Sequence, residues 1–119
     1  MNDWLGAMAE PLIRPPDIEA DITYLSTESG GRKSAVRSGY RPNHDFGLDG
    51  MLNDAHHEYA GVESVAPGQT ARARIWLLAP DYQLGRLHPG FGFKVLEGAH
   101  VVAHGVIVSV FNTALRSGA

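Results

Sequence analysis

Several groups of residues in this chain could do chemistry. Ser29-Gly30-Gly31-Arg32-Lys33-Ser34 combines glycines, a lysine and a hydroxyl after a strand-like run, which is the composition of a phosphate-binding loop. That loop needs G-x-x-x-x-G-K-[ST], so that successive backbone N–H groups wrap the phosphates and the lysine reaches across them. Here Arg32 separates Gly31 from Lys33, and no glycine stands at the earlier position. Gly39 and Pro42 also interrupt the helix whose N-terminus would face the phosphates. The sequence predicts no GTP or ATP binding and reads the glycines as the turn of a hairpin between two antiparallel strands.

The histidines raise the question of a metal. His100 and His104 lie in a valine-rich run, and four residues of strand separate their Cα atoms by about 13 Å, too far for one ion. Asp54, His56, His57 and Glu58 form a second group in GLDGMLNDAHHEYAG, read as a polar solvated loop with metal binding as the alternative. There is no cysteine, no G-x-S-x-G and no H-E-x-x-H. The expectation is a chain with no catalytic residue, cofactor or metal: a binding module, not an enzyme. Arg72, Arg74 and Trp76 alternate along one strand face and could neutralise and stack on a nucleic acid. The structural alternative is that the arginine stems cover apolar surface.

The elements that must position these residues follow from a period of two. Ile18, Ala20, Ile22 and Tyr24 alternate with Asp17, Glu19, Asp21 and Thr23, and Ala71, Ala73, Ile75 and Leu77 alternate with Thr70, Arg72, Arg74 and Trp76. FGFKVL and HVVAHGVIVSVF flank Glu97-Gly98 as a hairpin. SGYRPNHDF is a weaker strand that Pro42 places at an edge or bulge. No helical period persists beyond the N-terminus. The predicted fold is all-β: a closed antiparallel barrel of six strands over residues 17–112, since closure removes exposed edges. Expected inward residues include Ile18, Ile22, Ile75, Leu77, Phe93 and Val95. Residues 1–16 read as an N-terminal appendage, with Trp4, Leu5, Met8 and Leu12 near helical spacing and partner docking as the alternative; residues 113–119 read as a tail.

The chain has 119 residues and a formal charge of −3, which argues against a broad nucleic-acid surface. Residues 17–66 carry nine acids and four bases, whereas 67–119 carry two acids and five bases. The absence of cysteine, of a basic leader and of any apolar run near 20 residues leads us to expect a cytoplasmic protein away from membranes.

Three segments resemble the C-terminal β-barrel domain (domain 3) of elongation factor Tu. YLSTESGGRKSAVRSGYRP is similar to its opening hairpin, with Leu-Ser, Gly-Gly-Arg and Gly-Tyr-Arg-Pro in step. GVESVAPGQTARARIWLLAP is similar to its middle and GFGFKVLEGAHVVAHGVIVSVF to its last hairpin, so the resemblance spans residues 17–111. It implies a barrel without the GTPase domain, bound to a protein linked to translation factors. The contact patch would be Arg32, Lys33, Arg37, Tyr40 and Arg41, with Arg37 and Arg41 on a returning strand. The family's tRNA-facing Phe-Arg-Thr reads Phe46-Gly47-Leu48 here, and its Gly-Arg in the last hairpin reads Ala99-His100. Phosphate-facing cations are thereby removed, which places a protein ahead of tRNA as partner. The second reading is tRNA bound through Arg72, Arg74 and Trp76, and a bared domain interface would favour self-association into a homo-oligomer.

Overall fold

The computed structural model describes residues 14–118. The chain forms β1 (Ile18–Tyr24), β2 (Asn43–Asp45), β3 (Asn53–Tyr59), β4 (Thr70–Leu77), β5 (Gly92–Glu97) and β6 (His100–Val110). They close in the order β1-β4-β3-β2-β5-β6, and every pairing is antiparallel. Two short 3₁₀ turns, Pro80–Gln83 and Thr113–Leu115, are the only helical elements described. No helix among the described residues is long and apolar enough to cross a membrane. The expected barrel is therefore present. The expectations for the N-terminal appendage fall almost wholly outside the described residues.

Strand alternation sets the core. Ile18, Ala20 and Ile22 of β1 and Ala73, Ile75 and Leu77 of β4 are fully buried, and Phe93 and Val95 of β5 join them, so all six expected inward residues face the interior. Gly105 of β6 stands opposite Phe93, and a Cβ there would fall 2.2 Å from the phenyl ring. The ring occupies the space that a side chain at 105 would fill. At the floor, Asp17 is buried and accepts the Leu77 N–H at 2.7 Å, the Asn112 side-chain amide at 2.9 Å and the Arg14 guanidinium at 3.1 Å. This carboxylate ties the approach to β1 to the end of β4 and to the residues after β6.

Three local expectations require correction. The segment holding Gly30 and Gly31 is not a hairpin turn between paired strands, because β1 pairs with β4 and β6 while β2 pairs with β3 and β5. Residues 25–42 instead cross the barrel mouth. Gly39 and Pro42 prevent them from forming a full-length partner for β1, whereas the eight residues of β4 supply one. Consequently Arg37 and Arg41 lie outside the strands. Pro42 does mark an irregularity: β2 holds only three residues, and above it Tyr40 and Pro42 bond to β3 through single carbonyls. The last hairpin turns at Gly98 and Ala99, since Glu97 still pairs with His100.

The third correction concerns GLDGMLNDAHHEYAG. Its second half is strand β3, and both His56 and His57 are fully buried. His57 points inward with Ala55 and Tyr59, and His56 packs edge-on against Trp76 of β4 at 5.8 Å.

Candidate binding surface and the polar chain beneath it

The two glycines of SGGRKS do separate jobs at the mouth. Gly30 adopts φ +94°, which side chains rarely tolerate. Gly31 donates to the Ser26 carbonyl, and a Cβ on it would lie 2.2 Å from the Leu25 carbonyl oxygen. They place Arg32 over the mouth. There Arg32 forms an ion pair with Glu97 at the end of β5 and lies 5.4 Å from the centre of the Tyr40 ring. Tyr40 donates its hydroxyl to the same carboxylate at 2.6 Å. Burial, then the hydrogen bond and charge of Glu97, push the Tyr40 hydroxyl well above its usual range. Glu97 thus clamps the crossing segment to the barrel.

Of the five residues expected in the contact patch, Arg32 and Tyr40 are half-buried in this clamp, and Lys33, Arg37 and Arg41 are exposed. Arg37 reaches Glu63 at 3.7 Å, with its side chain 73% exposed. A pair so open to water contributes little and leaves the cation available.

The second group is arranged differently. Arg72 donates to Asp21 at 2.6 Å and approaches Glu19 at 3.7 Å, and Arg74 lies 3.5 Å from Glu19. The acids of β1 therefore face both arginines across the strand register. Trp76 is buried, with its indole N–H donating to the Arg14 carbonyl at 2.7 Å, so its ring is not offered as an exposed platform. The physical reason is that the chain leading into β1 lies against the outer face of β4. His100 and His104 are both exposed on β6. Among the described residues no three His, Asp or Glu converge as metal ligands. No family model matches the chain.

Beneath the clamp runs a feature that sequence patterning did not foresee. The Tyr24 and Tyr59 hydroxyls meet at 2.5 Å, the Tyr59 hydroxyl meets His57 Nδ1 at 3.1 Å, His57 Nε2 meets His44 Nε2 at 2.7 Å, and His44 Nδ1 meets the Asn53 carbonyl at 3.0 Å. All four side chains are buried. A carbonyl can only accept, which fixes every proton in the neutral chain. His44 carries its hydrogen on Nδ1 and accepts at Nε2. His57 must then donate from Nε2 and accept at Nδ1, so Tyr59 donates to His57 and Tyr24 donates to Tyr59. Burial holds His44 down to about 4 and His57 well below the usual histidine range. Burial also raises both hydroxyls, Tyr24 to about 12. The chain is neutral at pH 7.

Its upper end meets the clamp. Tyr40 packs edge-on against His57 at 5.9 Å, and its carbonyl accepts the His57 backbone N–H at 2.9 Å. The signal for this chain was present as inward polar positions, His57 and Tyr59, at the strand period of two. It is readable only once the surrounding segment is taken as a strand.

Proposed function

We propose that this barrel is a non-catalytic, cytoplasmic protein-binding module of the kind its resemblance to the third domain of elongation factor Tu implies. Its contact surface is the mouth segment bearing Lys33, Arg37 and Arg41. The observation that carries this reading is the clamp. Arg32 and Tyr40 are spent on Glu97, which fixes the segment and leaves three cations facing solvent. A pre-ordered cationic loop lowers the ordering cost of binding and suits an acidic protein surface. The partner class is a translation factor: a separate GTPase, or a protein that binds elongation factor Tu through its third domain.

The test is capture from native cytosol on the immobilised barrel, comparing wild type with the Arg37→Ala, Arg41→Ala double variant. Selective loss of a translation factor from the variant, by about 2 kcal/mol or more as for a hot spot, is the expected result. Equal capture by both would reject this surface. Saturable tRNA binding with a steep salt slope, unchanged in the double variant, would move the function to the Arg72 and Arg74 face.

A further inference from the structure

We propose that the barrel interior is a proton-binding site, filled from the mouth through the Tyr24 and Tyr59 hydroxyls and seated on the His44–His57 pair. The inference is independent of what the outer surface binds.

The geometry carries it in two steps. In the neutral chain each hydrogen has one acceptor, and the direction is fixed from the Asn53 carbonyl upward. An extra proton placed on His44 Nε2 would set two N–H groups against each other at 2.7 Å. The chain accepts a proton without loss only by reversal. A proton from water at the mouth joins the Tyr24 oxygen. The hydrogen that Tyr24 gave to Tyr59 passes to the Tyr59 oxygen, and that of Tyr59 passes to His57 Nδ1. Each O–H bond broken is matched by one formed, and both tyrosines stay neutral with their hydrogen bonds reversed. The charge lies on the histidine pair, which titrates as a unit. The Tyr24 oxygen has no other hydrogen-bond partner among the described residues, so in the reversed chain it accepts from Tyr59 and its own hydrogen turns away from Tyr59.

The groups facing the pair bear on its charge. Tyr24 comes from β1, Tyr59 and the Asn53 carbonyl from β3, and Tyr40 from the crossing segment. Asp54 favours the charged form of His44, and His56 opposes that of His57. β4, β5 and β6 turn apolar residues inward at this level, Ile75, Val95 and Ala103 among them. Arg32 and Glu97 stand at the mouth, joined to the pair through Tyr40. A positive charge beneath Tyr40 therefore perturbs the Arg32–Glu97 clamp.

NMR of the full chain labelled with ¹⁵N tests this between pH 7 and pH 3.5. At pH 7 His44 is expected as the Nδ1–H tautomer and His57 as the Nε2–H tautomer. On acidification both rings titrate as one reversible event. The Arg32 Nε–H shifts at the same midpoint, while Arg72 does not follow it. Tyr59→Phe removes the relay, so the midpoint of the pair falls by at least half a pH unit and Arg32 no longer moves with it. The proposal is overturned if both histidines stay neutral until the barrel unfolds, if wild type shows equal tautomers at pH 7, or if Tyr59→Phe leaves the midpoint unchanged. The wild-type tautomers and coincident midpoints decide the matter even if that variant fails to fold.

Discussion

His44 and His57 meet Nε2 to Nε2 at 2.7 Å inside the barrel, so exactly one of the two nitrogens carries a hydrogen. Two imidazoles take the place of a hydrophobic pair at the centre of a β-barrel. They are tolerated there because each remaining ring nitrogen also has a partner, the Asn53 carbonyl on one side and the Tyr59 hydroxyl on the other. An unpaired buried polar group would cost about 1–3 kcal/mol.

Stability should fall as the pH is lowered through a window set by these histidines. His44 is held down to about 4 in the fold by burial and returns to about 6.5 when unfolded. Between those values the unfolded chain binds the proton and the folded one resists it, so stability rises with pH. The contribution is complete above about pH 6.5 and lost by about pH 4, a change of about 3 kcal/mol, and His57 acts in the same direction. Urea unfolding at pH 7 and pH 5 measures it. In His44→Gln the drop should be smaller by about 2 kcal/mol. Equal drops in both proteins would refute this assignment.

Gly105→Ala should destabilise the barrel by about 1–3 kcal/mol, the usual cost of overpacking. The added methyl would fall 2.2 Å from Phe93, whose ring is held against Phe46 at 4.9 Å and His44 at 5.9 Å. Shrinking the ring should relieve the clash, so Phe93→Leu combined with Gly105→Ala should cost less than the sum of the single changes. Strict additivity in thermal unfolding would show that the ring has room to move.

Asp17→Ala should cost about 2–4 kcal/mol, because it leaves the Leu77 N–H and the Asn112 amide without their acceptor at a buried site. Hydrogen exchange localises the effect: the end of β4 and residues 111–112 should lose protection first. Uniform loss across the barrel would place the damage elsewhere.

The sequence was most legible where two faces differ most. β1 alternates apolar with charged or polar residues throughout and β4 does so from Thr70 to Ile75, and the structure keeps that inward set. It was least legible where polar residues point inward. His44, His57 and Tyr59 resemble a solvated loop when counted by hydropathy, and only their mutual hydrogen bonds make burial affordable. Local reading also favoured a hairpin after β1, because a glycine pair signals a turn. The actual partners of β1 begin 46 and 76 residues after its end, at Thr70 and His100, beyond what short-range patterning conveys. In the contact patch, residue types identified Arg32 and Tyr40 as companions, while Glu97 as their shared acceptor is a fact of topology alone.

Glu97→Gln tests the clamp itself. The carboxylate accepts from both Arg32 and Tyr40 on one oxygen. The neutral amide can still accept at its carbonyl oxygen, so its volume and one bond survive while the charge is lost. Because the Arg32 side chain is 22% exposed and that of Glu97 38%, water screens the pair, and the global cost should stay near about 1 kcal/mol. The local effect should be larger. With the guanidinium released, the segment from Arg32 to Arg41 loses its charged anchor, and its amides should exchange with solvent at least tenfold faster while those of β1 and β4 keep their rates. Gly39 and Tyr40 should report first, since their N–H groups donate to the His57 and Arg37 carbonyls at 2.8 and 3.1 Å. If exchange in the segment is unchanged, Gly31 packing and the Val36–Val65 bridge hold it without the clamp. The exposed cations would then owe their placement to the backbone and not to Glu97.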